Sequence, residues 1–481
     1  MIPVHSIRLW LLAMLSVAVL GFYDPAAASA DRRMDFADVP GPNSGNRPDV
    51  SHSLNASAAS AVTITEIIDA SGDGVGNTLD TAGLLASAEL TITFTKVFDP
   101  GNDTLPPGGD VADSTLVPAL DDGTVAFATR LTGSGFEGVY LWHGSQPFDF
   151  VVDEEDISTY TMAKLKSFGA PSRHRGDTAF TSSEAGANIP HMFINREIII
   201  VNEIAPNTGG NRFQALGDPS LDHAEVAFIG VAVGLSGLWY RLANGSLGSV
   251  LVENQSSPDG SHWASAVATQ LSNHRVCIVA TTDLNAGQAV LWSAELGESV
   301  QFLAPPTSGV ASDAVGFTRC AIDGNEIAFV AGTPNPSPTY QNVFLERDGD
   351  FQLLASTEAF PDFGFTPNAF KGLSIDAGRV AVGVDTAEGS AIFIVDVDGS
   401  LHKVVATNDT IELVVGGPDM IGTPRILRDA LSGNSLAFHD SGSGSVYLAT
   451  VTEGLAARPG CDSPTVACIP STTFGQIDGL A

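Results

Sequence analysis

One short pattern recurs seven times along this chain and constrains its fold more than any other feature. Each copy is a polar turn followed by a run of apolar, β-branched or aromatic residues, as in Asp122–Phe127 and Gly324–Phe329. The copies end at Phe127, Phe180, Phe228, Ile278, Phe329, Val382 and Phe438. The shortest interval (180 to 228) is 48 residues and the longest (382 to 438) is 56. A sustained period near 50 residues is typical of propeller blades or solenoid arrays.

Further strand-like runs accompany each copy and extend it to four strands. The run that follows the pattern is rich in aromatic and β-branched residues, as in Val139–Leu141 and Leu238–Tyr240. Six copies then have a third run, such as Ser249–Val252, and a fourth precedes each turn, such as Leu116–Leu120. Four antiparallel strands per repeat predict a propeller blade.

The seventh copy lacks its third run, and the N-terminal part of the chain offers a replacement. Leu90–Phe98 followed by Asn102–Thr104 matches Leu401–Val405 followed by Asn408–Thr410. Closure by this strand removes the free sheet edges that a solenoid has to cap. The predicted fold is therefore all-β: a seven-bladed β-propeller of four-stranded antiparallel blades, closed by an N-terminal strand that completes the last blade.

The repeats resemble a secreted bacterial β-propeller repeat family of unknown function. The resemblance covers residues 89–451 and rests on Asp122–Phe127, Gly138–Leu141, Leu401–Thr410 and the Gly-rich linkers. It implies the fold and nothing about activity. A separate segment, Ile64–Asp80, resembles an inter-blade stretch of bacterial NHL-repeat propellers. That second resemblance implies a leader strand and loop packed against the ring.

The chain is predicted to divide into five parts. Residues 1–30 have the polar start, apolar run and Ala28-Ser29-Ala30 ending of a signal peptide. The other parts are a disordered leader at 31–60, the NHL-like leader segment at 61–88, the propeller at 89–451 and a C-terminal tail at 452–481. The apolar run is too short for a membrane span. We therefore expect a secreted protein, extracellular or periplasmic.

The four cysteines fit an oxidising compartment. Cys461 and Cys468 bracket a short Pro-containing loop in the tail, where export makes a local disulfide the expected pairing. Cys277 and Cys320 lie in strand-like runs of neighbouring repeats. The sequence leaves two interpretations of this second pair open: a bridge between blades, or two buried thiols.

Charge excludes several classes of partner. The chain has 55 Asp and Glu against 22 Lys and Arg, a formal net charge of −33. Nucleic acid and anionic membranes are themselves polyanions, so neither is an expected partner. An extracellular protein or a glycan is compatible with this charge. We interpret the acidity as a source of solubility, with bound divalent cations or a saline surrounding as alternatives.

Asp69, Asp73 and Asp80, separated by glycines, are the candidate metal ligands in the sequence. Calcium prefers carboxylate and carbonyl oxygens on a flexible loop, so calcium is the cation these residues would hold. Their spacing departs from the EF-hand loop, and Asp-Gly pairs also form turns without any metal. No other cofactor is predicted.

Catalytic residues cannot be assigned, because the chain has no HExxH, GxSxG or Walker sequence. His223 and His274 are predicted to occupy equivalent turn positions beside the inner strand of successive repeats, where they would flank the channel. Turn chemistry and a ligand role are both open for them. The acidic run Asp153–Asp156 is expected to face solvent. Function is expected on the loops after the repeated strands and on the linkers between blades, which share one face of a propeller.

Two functions are compatible with these observations. The first is an extracellular β-propeller binding or scaffold protein that recognises a glycan, a peptide or a partner protein, and the missing catalytic signature favours it. The alternative is a channel-centred hydrolase or lyase acting on an extracellular polymer such as a glycan. The two differ in whether ionisable side chains from several blades converge on one end of the channel.

Overall fold

The structure is a computed structural model that describes residues 90–453 apart from ten short segments. Those segments are 107–113, 131–136, 154–155, 157–161, 187–188, 284–288, 305–315, 333–340, 357–366 and 397–398. The predicted signal peptide and both leader segments, with Asp69, Asp73 and Asp80, lie outside the described residues. So does the tail from residue 454 onward, with Cys461 and Cys468.

The described residues form β-strands and no helix, beginning with β1 (Leu90–Phe98). The first sheet contains β2 (Ser114–Thr115), β3 (Ala119–Asp121), β4 (Thr124–Arg130), β5 (Gly138–Trp142) and β6 (Asp149–Asp153). The second contains β7 (Leu165–Lys166), β8 (Ser172–His174), β9 (Asp177–Glu184), β10 (Pro190–Ile194) and β11 (Glu197–Val201). The third contains β12 (Phe213–Leu216), β13 (Ser220–Asp222), β14 (Glu225–Ala232), β15 (Leu235–Arg241) and β16 (Leu247–Val252).

The next three sheets have four strands each. The fourth sheet contains β17 (Trp263–Ser272), β18 (Arg275–Thr282), β19 (Ala289–Glu295) and β20 (Gln301–Ala304). The fifth contains β21 (Gly316–Asp323), β22 (Glu326–Gly332), β23 (Gln341–Arg347) and β24 (Asp350–Ser356). The sixth contains β25 (Pro367–Asp376), β26 (Arg379–Thr386), β27 (Gly389–Val395) and β28 (Leu401–Ala406).

The first six sheets share one architecture: four antiparallel strand positions in sequence order, as the repeat predicts. In the first three sheets the first position is divided into two short strands. Each division contains a proline, at Pro118, Pro171 and Pro219. Proline has no N–H to donate to a neighbouring strand, so pairing is interrupted there.

The repeated pattern forms the second strand of each sheet. Each of these strands has an apolar stretch that is buried on both faces by neighbouring sheets, as in Val226, Ala227 and Phe228, which are all fully buried. The first strands of neighbouring sheets touch one another in a closed cycle: β3, β8, β13, β17, β21, β25, β32 (Leu431–Ser432) and β3 again. The fold is therefore an all-β propeller with six four-stranded sheets and a seventh, larger sheet.

The seventh sheet joins both ends of the described chain. It contains β29 (Thr410–Leu413), β30 (Gly417–Met420), β31 (Pro424–Arg425), β32, β33 (Ser435–Asp440), β34 (Ser445–Glu453) and β1. Strand β1 is antiparallel to β34, with Leu90 opposite Glu453, as expected for the N-terminal strand. Its other edge pairs in parallel with β29. The hairpin β29–β30 makes this sheet larger than the predicted four-stranded blade.

Cys277 and Cys320 form a disulfide between β18 and β21, and thus between the fourth and fifth sheets. Both residues are buried. The bridge decides between the two interpretations that the sequence leaves open. The described part of the chain has no helix long and apolar enough to cross a membrane.

Candidate functional site

The last residue of each first strand lies directly before the turn into the repeated strand. We call these seven residues the rim: Asp121, His174, Asp222, Ser272, Asp323, Asp376 and Ser432. Four of them are carboxylates, so the rim is acidic. Because the first strands contact one another in a cycle, the repeat brings one rim residue from each sheet to the same end of the ring.

Most rim residues connect one sheet to the next. Asp121 Oδ2 accepts the N–H of Gly176, in the turn of the second sheet, at 3.0 Å. Asp323 Oδ2 accepts the N–H of Ala377 in the sixth sheet at 2.7 Å. Ser272, Asp376 and Ser432 accept the N–H of Gly324, Gly433 and Asp122 in the same way. At these five positions the rim has a structural role.

The junction of the second and third sheets is built differently. His174 Nδ1 lies 3.0 Å from Asp222 Oδ1, and His223 Nδ1 lies 2.6 Å from the same oxygen. Asp222 Oδ2 is buried without a hydrogen-bond partner, and the Asp222 side chain is only 1% exposed. At this junction the two sheets are therefore connected by contacts between side chains, and not by a hydrogen bond from a turn N–H to a rim side chain. We call these three residues the His–Asp–His cluster.

The backbone of a tight hairpin turn positions His223. Asp222 pairs with Glu225, which leaves His223 and Ala224 as the two turn residues. Their φ angles are 47° and 63°, the left-handed values that a two-residue hairpin turn requires. Glycine and asparagine adopt these values most readily, and the first sheet has Asp122-Gly123 at the same place.

His274 does not correspond to His223. In the fourth sheet Ser272 pairs with Arg275, so His274 is the second turn residue whereas His223 is the first. The prediction that the two histidines occupy equivalent positions is therefore wrong by one residue. His274 Nδ1 instead lies 2.7 Å from Glu225 Oε2 of the third sheet.

Electrostatic interactions extend across the rim. The hydrogen bond to Asp222 raises the pKa of His174, although burial acts in the opposite direction. Burial opposes ionisation of Asp222, but its interactions with His174 and His223 outweigh this and lower its pKa. Burial also raises the pKa of Asp323, which interacts with Asp376 and, across the ring, with His174. The rim carboxyl groups and the cluster therefore influence one another's ionisation.

A second group of ionisable side chains lies four residues before the rim. In four sheets this position is Val117, Ala170, Ala268 and Gly372, but the other three have Asp218, Arg319 and Arg428. Together with Asp429 these three charged residues form what we call the axial cluster. The charge of Arg428 affects the pKa of Asp218, Arg319 and Asp429, so the cluster is one electrostatic unit.

Asp429 connects three sheets. Its Oδ2 accepts the hydroxyl of Ser172 from the second sheet at 2.5 Å, and its Oδ1 accepts the amide of Gln270 from the fourth sheet at 2.7 Å. Burial raises the pKa of Asp429, although Arg428 and these hydrogen bonds favour its ionised form. The side chain thus holds a carboxyl group at the centre of the ring.

A cleft opens beside the His–Asp–His cluster. It has a volume of about 430 Å³, and its lining includes Asp177 and Asn195 of the second sheet and Ala224 and Arg241 of the third. The three cluster residues do not themselves line the cleft, but two lining residues are their neighbours: Ala224 follows His223 in the turn, and Asp177 pairs with His174. Arg196 also lines the cleft, but its Nε–H is already used by the carbonyl oxygen of Val151, at 2.9 Å.

The structure differs from two further predictions about functional sites. The run Asp153–Asp156 does not face solvent throughout, because Asp153 is only 2% exposed. The carboxylates of Asp153 and Asp156 each accept the other residue's backbone N–H. The ionisable residues of the rim converge at the turns before the repeated strands. That end of the ring is opposite to the loops after the repeated strands, where the sequence predicts function. The sequence contained the missed signal, since each rim residue directly precedes a repeated turn.

Comparison with known proteins finds similarity at low sequence identity. No protein-family model matches it, and no curated protein matches it. Among solved structures, it is similar to the β-propeller domain of the Trilobed protease from Pyrococcus furiosus. The two are 10% identical, with a TM-score of 0.34 over 62% of this chain and 99% of that domain.

Two enzymes with solved structures are also similar. A prolyl endopeptidase is 13% identical, with a TM-score of 0.41 over 71% of this chain and 50% of that enzyme. The chain thus spans about half the length of this relative. An oligogalacturonate lyase in complex with manganese is 14% identical, with a TM-score of 0.42 over 77% of this chain and 92% of the lyase. At such identities the likeness concerns the fold alone.

Proposed function

We propose that this protein is an exported, seven-bladed β-propeller of the secreted bacterial repeat type. The seventh sheet is then the seventh blade, with β1 as its outer strand and the hairpin β29–β30 as an addition. Two observations support this: Phe98 of β1 packs on Phe127 of the first sheet, and the Leu120 N–H donates to the Asp429 carbonyl at 2.7 Å. The Cys277–Cys320 disulfide supports an oxidising compartment.

We further propose that the protein binds an extracellular ligand in the cleft between the second and third sheets. One observation carries this proposal. At five other junctions a rim side chain accepts a hydrogen bond from a turn N–H of the next sheet. At this junction the His–Asp–His cluster takes the place of that bond, and a cleft of ligand size opens beside it. Binding sites are concave and combine a few converging polar groups with a shaped surface.

The lining of the cleft favours a polar, extended ligand. Arg241 offers N–H donors on the third-sheet side of the cleft. On the second-sheet side Asp177 offers carboxylate acceptors, although its Oδ1 already accepts the amide of Asn195 at 2.8 Å. Such a set suits the hydroxyl and carboxylate groups of a glycan segment or the backbone of a peptide from a partner protein. The net charge of −33 argues against a nucleic acid.

Titration of the mature protein with a panel of extracellular polysaccharides, followed by calorimetry, tests this proposal. We expect one polysaccharide to bind, and the R241Q variant to bind it at least tenfold more weakly, because Arg241 lines the cleft. R347Q is the matched control, since Arg347 pairs with Glu326 on the fifth sheet. Equal affinity for the wild type and R241Q would contradict the assignment of the cleft, and no binding by any polysaccharide in the panel would contradict a glycan as its ligand.

A hydrolase or lyase is the second candidate, and the axial cluster favours it. Asp429 is a carboxyl group at the centre of the ring whose pKa is raised by burial, a property of groups that exchange protons with substrates. Ionisable side chains from several sheets also converge on the rim. The same titration separates the two functions: an enzyme releases shorter chains from the bound polymer over time, whereas a binding protein leaves its length unchanged.

A further inference from the structure

We infer that His174, Asp222 and His223 form a binding site for a divalent first-row transition-metal cation. This goes beyond the proposed ligand binding in the cleft and does not depend on it. The three side chains each offer one ligand atom, and these atoms all lie within 4.8 Å of one another. The two imidazole rings come from neighbouring sheets, with their centroids 4.8 Å apart.

The donor set selects the class of cation. Two imidazole nitrogens and one carboxylate suit manganese, iron, cobalt, nickel and zinc, which accept nitrogen ligands. Calcium and magnesium prefer sites made of oxygen ligands. The site therefore differs in both place and chemistry from the calcium ligands Asp69, Asp73 and Asp80 that the sequence proposes.

Asp222 provides the second, independent indication of a missing ligand. Its side chain is 1% exposed, and its Oδ2 has no hydrogen-bond partner. A buried carboxylate oxygen without a partner is unfavourable, and native structures usually satisfy such atoms. At five other positions of the rim, the side chain accepts an N–H from the next turn instead. Both imidazoles contact Oδ1, so in the inferred site Asp222 ligates the cation through both of its oxygens, which also satisfies Oδ2.

Access and charge are also suitable for a cation. His174 is 29% exposed and His223 is 44% exposed, so a cation can reach both imidazoles from solvent. Asp121, whose charge acts on His174, adds to the negative potential at this end of the ring. Three protein ligands leave coordination positions open, and the adjoining cleft is where a further ligand would enter.

Direct metal titration tests the inference. The mature protein, produced without a histidine tag and freed of metal with a chelator, is titrated separately with Mn²⁺, Co²⁺, Ni²⁺ and Zn²⁺. We expect one equivalent of at least one cation to bind per chain. We expect H223N to lower that affinity at least tenfold. Asparagine tolerates the left-handed turn and occupies the corresponding place as Asn273, so this variant preserves the fold.

The matched control is H274N. His274 also lies in a hairpin turn and pairs with a carboxylate, Glu225, but stands outside the cluster. Its substitution is expected to leave the metal affinity within twofold of the wild type. The inference is overturned if none of the four cations binds stoichiometrically, or if H223N binds as well as H274N. Since no polysaccharide is present, failure here is separate from failure of the proposed ligand binding.

Discussion

Single buried side chains set how this protein responds to acid, and His439 is the clearest case. It lies in β33, is 8% exposed, and its Nε2 has no hydrogen-bond partner. Burial lowers its pKa from 6.5 to about 4, although the charge of Asp440 acts in the opposite direction. The unfolded chain therefore binds more protons than the folded chain between these two pH values. Stability is full above pH 6.5 and falls as the pH is lowered through this window.

The H439L variant is expected to lose part of this pH dependence. A pKa shift of this size corresponds to about 3 kcal/mol in the free energy of unfolding. Urea denaturation at pH 7 and at pH 4 should show a fall in stability that is smaller in H439L by roughly that amount. H262Q serves as the control, because His262 is 56% exposed. An equal fall in H439L and wild type would contradict the assignment.

The sequence shows where the rim residues lie but not which of them have a special environment. Asp121, Asp222, Asp323 and Asp376 all directly precede a repeated turn, so their equivalence follows from the repeat. The contact of Asp222 with His174 depends on how two sheets pack, which no single repeat encodes. The difference between His223 and His274 depends on hairpin register, where one residue changes the direction of a side chain.

Among the elements, strand β1 contributes most to joining the two ends of the described chain. Phe98 is fully buried and lies 5.1 Å, between ring centroids, from Phe127 of the first sheet and 5.8 Å from Phe148. Val97 belongs to the same apolar cluster, which also includes residues of the seventh sheet. The strand therefore stabilises the contact between the first and last sheets.

The F98A variant is expected to destabilise the protein by about 3 to 5 kcal/mol, the usual cost of removing a buried phenylalanine ring. Guanidinium denaturation measures the loss. T93A is the control on the same strand, because Thr93 is exposed, and its cost should stay below about 1 kcal/mol. A smaller loss in F98A than in T93A would show that β1 does not join the two sheets.

Element identity could largely be predicted from the sequence, because apolar runs repeat with a fixed period. The four strand positions and the pairing of β1 with β34 are found as predicted. The hairpin β29–β30 lies where the repeat predicts a Gly-rich linker between blades. Its strands are short. Strand β29 pairs locally with β30, and it joins the sheet through parallel pairing with β1 at Leu413, a contact between distant parts of the chain. Long-range pairing of this kind leaves no local signal.

At the scale of the whole molecule, the cycle of first strands concentrates charge that the sequence spreads over seven repeats. Each sheet contributes one residue to the rim, and four of the seven are carboxylates. The axial cluster adds two arginines and two further carboxyl groups. One end of the ring is thus rich in carboxylates, and its centre holds both arginines and carboxyl groups. This arrangement is suited to a cation at the rim and a polar ligand beside it.

The site at the junction of the second and third sheets can be tested most directly by anomalous X-ray diffraction from crystals of the mature protein, grown with whichever of Mn²⁺, Co²⁺, Ni²⁺ and Zn²⁺ binds it most tightly in solution. A peak in the anomalous map between the imidazoles of His174 and His223, beside the carboxylate of Asp222, is the predicted result. A map with no peak at that position, while the three side chains keep the positions described above, would contradict the assignment of this junction as a ligand site.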